Sequence, residues 1–236
     1  MDESAFETET GTPIPAVTAD EMREVDRVAV DEVGLELLQM MENAGRNLTE
    51  FVSTVDGTDV TVLAGNGGNG GGGLVAARHL ANRDASVSVV FDRPPANLDG
   101  AAAHQHQILD AMDVSTGVGT EALETGDVVV DALVGYGIRG ELRGTARELV
   151  GACNETDSPV VSLDVPSGLD ATTGERSGPA VAPDWIVTLA LPKTGLGGHP
   201  ATVLLADIAI PETVYRRVGI EYRTPFDEGY LVRVRS

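Results

Sequence analysis

Three polar clusters in the sequence combine residue types that could bind a phosphate, hold a cation or move a proton. The first is Gly65-Asn66-Gly67-Gly68-Asn69-Gly70-Gly71-Gly72-Gly73. Glycines let the backbone approach an anion, and free amides at the start of a following helix favour negative charge. The stretch contains G-x-G-x-x-G, and Asp92 ends the next apolar run, where a dinucleotide-binding protein would hold ribose hydroxyls. Taken alone, it also reads as a flexible glycine loop with no ligand.

The second cluster runs from Asp131 through Gly135, Tyr136, Gly137, Ile138 and Arg139 to Gly140. A carboxylate leaving a buried strand must meet a cation or stay protonated, so its proton affinity is open to tuning, and the glycines with Arg139 could hold a phosphate. The alternative is that Asp131 caps the next turn. The third cluster is Asp164-Val165-Pro166-Ser167-Gly168-Leu169-Asp170, in which proline and glycine fix a turn that presents Asp164 and Ser167 together. A serine nucleophile is disfavoured, because the segment lacks a strand-to-helix elbow and a nearby histidine. Lys193 is the only lysine among 16 basic residues. Its retention points to a local need for a compact ammonium, with a lysine kept by chance at a strand end as the alternative.

These clusters need a scaffold that ends strands where they lie. Thr18-Ala19-Asp20-Glu21 has the pattern of a capping box and opens a helix expected to run to about Val33. A second helix is expected from Leu35, with Leu37, Leu38, Met41, Ala44 and Leu48 at helical spacing toward the core. Beyond Gly57, short apolar runs alternate with helical segments. Strands are expected at 60–64, 87–91, 128–133, 160–164, 185–191 and about 203–205, and helices at 73–82, 100–112, 145–154 and 211–218. This is an α/β chain: a Rossmann-like three-layer sandwich with a mostly parallel central sheet and two extra N-terminal helices. The final segment, ending Leu231-Val232-Arg233-Val234-Arg235-Ser236, is expected to add an edge strand. Residues 1–17 read as a flexible acidic tail and residues 18–236 as a single domain. In open α/β sheets ligands bind beyond the carboxyl ends of strands, where all three clusters fall.

A net charge of −21 argues against nucleic acid as a partner, since phosphate binding needs a basic surface. No apolar run approaches membrane-spanning length, and the acidic N-terminus is unlike a signal peptide, so a cytoplasmic protein with no membrane association is expected. Cys153 is the only cysteine, which excludes an intrachain disulfide. Acidic residues in excess with a single lysine point to a strongly hydrated surface and a halophilic source.

Taken in order from about Thr18 to Gly219, these segments resemble the NAD(P)HX epimerase family, also called the YjeF N-terminal domain. The landmarks are Met41-Glu42-Asn43-Ala44-Gly45-Arg46, the glycine cluster, Asp131 with its glycine turn, Asp164 to Asp170, Pro192-Lys193 and Asp207-Ile208-Ala209-Ile210-Pro211. The resemblance implies an isomerase of metabolite repair that exchanges the R and S forms of hydrated NADH or NADPH. It implies a potassium ion held by Asn69, Asp131 and Ser167. It implies substrate contacts from Gly68, Asn69, Gly70, Gly71, Gly72, Gly135, Tyr136, Gly137, Ile138, Arg139 and Asp164, with Asn43 on a helix closing over the pocket and Lys193 beside it. Asp164 is the leading proton-transfer group and Asp131 the second catalytic candidate. A dehydratase on another chain and a homodimer complete the expectation. The family's glycine pattern, G-x-G-N-N-G-G-D-G, has an asparagine where this chain has Gly68 and an aspartate where it has Gly72. Restoring that aspartate is expected to tighten substrate binding. The competing readings are a catalytically weakened nucleotide-binding or dimerisation module of the same fold, and an NAD-dependent dehydrogenase built on G-x-G-x-x-G and Asp92.

Overall fold

The computed structural model describes residues 6–137, 140–227 and 229–236. Two short strands, β1 (Phe6–Thr8) and β2 (Pro13–Ile14), precede α1 (Ala19–Arg27), which continues into a π-helical stretch over Val28–Val33. Then come α2 (Leu37–Val52), β3 (Asp59–Ala64), α3 (Gly68–Ala81), β4 (Ser86–Phe91), α4 (Gly100–Asp110) and β5 (Ser115–Val118). The second half adds β6 (Val128–Ala132), α5 (Gly144–Asn154), β7 (Val160–Leu163), β8 (Trp185–Leu189), β9 (Thr202–Ala206), α6 (Glu212–Arg217) and β10 (Leu231–Arg235). All ten strands form one sheet in the order β2-β1-β10-β9-β8-β7-β6-β3-β4-β5. The seven from β9 to β5 are parallel, while β10, β1 and β2 pair antiparallel.

Alternation along the strands divides the core. Val60, Val62, Ala64, Val128, Val130 and Leu163 pack under α2, α3 and α4, while Leu63, Val129 and Val160 meet α5 on the other face. Farther along, Met22, Val25, Val214 and Tyr215 of α1 and α6 cover Ile186, Val203 and Leu205. Helices on both faces of a mostly parallel sheet are the architecture expected from the strand and helix alternation. The capping box is formed: Thr18 Oγ1 accepts from the Glu21 amide at 3.2 Å, and Glu21 Oε2 accepts from the Thr18 amide at 2.7 Å.

The N-terminal segment corrects the sequence reading. Part of the expected tail is sheet, with Phe6 and Ile14 each 1% exposed in the core. Two of the acidic residues that gave it a tail-like composition are cross-strand partners, Glu7 to Arg235 at 2.7 Å and Glu9 to Arg233 at 3.6 Å. Because β1 and β2 lie outside it, β10 is an interior strand, not an edge. Leu37 and Leu38 are also exposed, so only Met41, Ala44 and Leu48 of the five expected core positions of α2 are buried. The short strand β5 was not anticipated; its Ser-Thr-Gly-Val sequence carries little apolar signal.

Candidate functional site

From β3 the chain steps outward to β4 and β5, then crosses back so that β6 pairs with the other side of β3. The crevice beyond the carboxyl ends of β3 and β6 is therefore the switch point at which open α/β sheets bind ligands. A cavity of about 610 Å³ opens there. Its walls come from the turn after β3, the turn after β6, Asp164 after β7, Lys193 after β8, and α1 and α2 above.

At the inner wall stands an ion pair. Lys193 Nζ donates to Asp164 Oδ1 at 2.5 Å and to the Leu189 carbonyl at 2.9 Å. Asp164 also accepts from the Tyr136 amide at 3.2 Å through Oδ2 and the Leu189 amide at 3.3 Å through Oδ1. Both strands feeding this pair stop where the sequence reading had them continue. Asp164 has φ +69° and Ala190 φ +63°, a left-handed conformation uncommon outside glycine, and it ends β7 and β8 while turning the chain into the site. The N-terminal segment clamps the lysine from behind, since the Val17 amide bonds the Pro192 carbonyl and the Thr194 amide bonds the Val17 carbonyl, each at 2.9 Å.

Tyr136 extends this cluster. Its ring lies 5.6 Å from Lys193 Nζ and 5.8 Å from the Arg23 guanidinium, and its hydroxyl donates to Asp26 Oδ2. Burial, partly opposed by that hydrogen bond and by Lys193, holds the Asp26 carboxyl above its ordinary range. The Tyr136 phenol is pushed up by burial and by the Asp26 charge, so it remains a donor. Asp26 lines the cavity and was missed in the sequence, where nothing within α1 distinguishes it from neighbouring acids.

Asp131 lies apart from the cavity, fully buried. Four donors meet its carboxylate: Ser167 Oγ at 2.6 Å and the Leu133 amide at 3.3 Å on Oδ1, Ser162 Oγ at 2.8 Å and the Ser167 amide at 2.9 Å on Oδ2. Burial raises its proton affinity against those bonds. Asp131 is therefore set behind the cavity wall and does not line it. Ser167 Oγ accepts from the Val134 amide at 2.9 Å, which ties this cluster to the turn after β6. Asn69 reaches the same turn from α3: both polar atoms of its buried amide lack a hydrogen-bond partner among the described residues. A Cβ on Gly135 would lie 3.0 Å from Asp164 Oδ2 and 3.2 Å from Asn69 Oδ1, so any larger residue there would press on both side chains.

The glycine cluster divides into two parts. Gly67 and Gly68 line the cavity, and a Cβ on either would meet nothing within 4 Å. From Gly68 onward the segment is already helical, five residues earlier than expected. Gly70, Gly71 and Gly72 are buried packing positions that do not line the cavity: added Cβ atoms would lie 1.8 Å from the Gly65 carbonyl oxygen, 2.5 Å from Met41 Sδ and 2.9 Å from Leu163 Cδ2. The missing aspartate at Gly72 thus removes nothing from the cavity wall, whereas the missing asparagine at Gly68 does.

Gly137 lines the cavity as expected, while Ile138 and Arg139 lie outside the described residues. Asn43 does not reach the cavity. Leu37, Met40, Met41 and Ala44 occupy the helix face over it, and Asn43 is turned away to bond the Ile208 carbonyl at 3.3 Å. Asp92 does line it, with each of its oxygens bonded to Arg93 at 2.9 Å. Cys153 is buried and its thiol is pushed up to about 12, the behaviour of a core residue.

Residues 37–195 match the family model described as YjeF-related protein N-terminus. The chain is 45% identical to an NAD(P)H-hydrate epimerase of Dehalogenimonas lykanthroporepellens, covering 98% of this chain and 97% of that one. It is 33% identical to an NAD(P)H-hydrate epimerase of Rhodopirellula baltica, over 88% of this chain and 89% of that one. A bifunctional NAD(P)H-hydrate repair enzyme of Moorella thermoacetica is 36% identical over 83% of this chain, which covers 41% of that longer protein. Among solved structures, yeast ynu0 superposes with a TM-score of 0.83 over 93% of this chain at 24% identity, a likeness of fold. The chain belongs to the YjeF-related N-terminal family, that of the NAD(P)H-hydrate epimerases.

Proposed function

We propose that this protein interconverts the R and S forms of NADH and NADPH hydrated at C6 of the nicotinamide ring, an isomerase reaction of cofactor repair. The near full-length relative of that name supports the reading. The observation that carries it is the buried Asp164–Lys193 pair facing a cavity at the sheet's switch point. The reaction breaks the C6–O bond as the ring nitrogen lone pair moves in, then returns water to the other face. Cation character develops on the ring and a proton changes hands, with no net redox change. In this reading Asp164 opposes that positive charge and exchanges the proton, and the bond from Lys193 holds its carboxylate in position. The apolar side chains of Leu37, Met40 and Met41 line the other wall.

A potassium ion is the proposed cofactor. Asn69, Asp131 and Ser167 are the residues that would hold it: a hard donor set, including an Asn69 amide oxygen that lacks a partner among the described residues. When bound, the ion supplies fixed positive charge beside the substrate. A dehydratase acting on the same substrate is the proposed partner, and the cytoplasm of a salt-adapted cell the proposed setting, supported by the charge of −21. Among the described residues no helix is long and apolar enough to cross a membrane.

The test is to incubate purified protein with one resolved epimer of hydrated NADH and follow the other by chromatography against the spontaneous rate. Exchange no faster than background rejects the reading.

A further inference from the structure

We propose that Asp26 is a second proton-transfer group of the epimerisation, serving the face of the nicotinamide ring opposite to Asp164, with Tyr136 as the spacer that holds the two carboxylates apart. The inference rests on the epimerase reading above. Exchange of R for S moves oxygen from one face of a flat ring to the other, so proton transfer is needed on both faces, and one fixed carboxylate reaches only one of them.

The geometry supplies a second carboxylate. Tyr136 bonds Asp164 through its backbone amide and Asp26 through its phenol, so the two acids are separated by the length of the tyrosine side chain along the same cavity. They hang from different elements, Asp164 from the end of β7 and Asp26 from α1. Hydrogen-bond capacity separates them further. Asp164 spends both oxygens on Lys193, Leu189 and Tyr136, whereas only Oδ2 of Asp26 has a partner among the described residues. Immediately after Asp26 and Arg27 the helix widens into the π-helical stretch Val28–Val33, a rare geometry frequent at functional sites. Among the described residues, the charged and titratable groups that act on Asp26 are Tyr136, Lys193, Asp164 and Tyr215 from other elements, while Arg23 of its own helix lies over the Tyr136 ring. Burial keeps the protonated form of Asp26 available above the ordinary carboxylate range.

The step balances. On one face, a carboxylic acid gives its proton to the C6 hydroxyl as the C6–O bond breaks, and the nitrogen pair forms the C6–N double bond while water leaves. On the other face, water adds to C6, the pair returns to nitrogen, and the excess proton passes to the second carboxylate. One water leaves and one enters, one proton is given and one taken, and no electron is transferred. In the reverse direction the two acids exchange roles.

The experiment is single-turnover exchange of each purified epimer of hydrated NADH across a pH series, with binding and thermal melting measured for every variant. Asp26→Asn keeps the shape and is expected to lower turnover by about 10²- to 10⁴-fold, leave KM nearly unchanged, and remove one limb of the pH profile; Asp26→Glu should recover part of the rate. Tyr136→Phe removes a bond to the Asp26 carboxylate and should move that limb to higher pH. Wild-type turnover and profile in Asp26→Asn, or a loss confined to KM, overturns the proposal. If Asp26→Asn fails to fold, a profile unmoved in Tyr136→Phe overturns it. Absence of exchange in the wild-type protein instead rejects the epimerase reading, and the proposal with it.

Discussion

Lys193 Nζ lies 2.5 Å from Asp164 Oδ1, and the two side chains are 1% and 4% exposed. A pair so enclosed is paid for in desolvation, which is why removing one member is worse than never having built it. Lys193→Met leaves the Asp164 carboxylate buried without its cation, and a denaturant titration should show a loss of about 3–5 kcal/mol. A loss under about 1 kcal/mol, the range of an exposed pair, would show that water reaches the site.

Asp164→Asn retains the size and part of the hydrogen bonding but cannot exchange a proton. Turnover should drop by about 10²- to 10⁴-fold with substrate binding nearly intact. Lys193→Arg keeps the charge yet replaces a compact ammonium with a planar fork in a space bounded by Asp164, the Leu189 carbonyl and the Tyr136 ring. It too should be slow. Near wild-type rates in Asp164→Asn would remove Asp164 from proton transfer, and near wild-type rates in Lys193→Arg would reduce the lysine to a charge.

Asn69→Ala and Ser167→Ala each delete a proposed potassium ligand. The concentration of potassium needed for activity should rise in both, and the gain in melting temperature on adding potassium, measured against a bulky organic cation at equal ionic strength, should shrink. Equal melting in both salts for wild type and variants would dismiss the ion.

The two departures from the family glycine pattern should separate. Gly68 faces open cavity, so Gly68→Asn should leave stability unchanged and alter substrate affinity. Gly72→Asp would press a carboxylate toward Leu163 in the core and should lower the melting temperature without tightening binding. Tighter binding in Gly72→Asp would restore the expectation drawn from the sequence.

What was legible in the sequence was local. The capping box of α1 depends on residues three apart, and the parallel strands other than β5 announce themselves by apolar runs. The clusters holding Asp131, Asp164, Ser167 and Asn69 could be singled out because each lies at the end of such a run, and the resemblance to a family supplied their roles. Asp26 could not, because its partner Tyr136 lies 110 positions away and only the fold joins them. The glycine cluster misled for a related reason: composition does not tell a glycine that admits a ligand from one that admits a neighbouring helix, and α3 begins in the middle of the run. Lys193 was noticeable as the chain's one lysine, but its partner was not.

His199 gives a pH dependence whose sign can be worked out. Its ring is partly buried, and burial together with the charge of Arg176 lowers its pKa from 6.5. Nδ1 accepts from the Ala201 amide at 3.2 Å, a bond only the unprotonated nitrogen can make. A folded-state pKa below the unfolded one means the unfolded chain binds more protons, so the contribution to stability is complete above the unfolded value and is lost as pH falls through the folded one. Stability measured by denaturant titration should therefore decline between about pH 7.5 and about pH 5 by more in wild type than in His199→Asn, whose amide oxygen can accept the same bond without titrating. Many carboxylates also titrate toward the acid end of this window, and they are common to both proteins, so the difference between the two curves isolates the histidine. Superimposable curves would mean that the imidazole is solvated enough to carry its proton in the folded state.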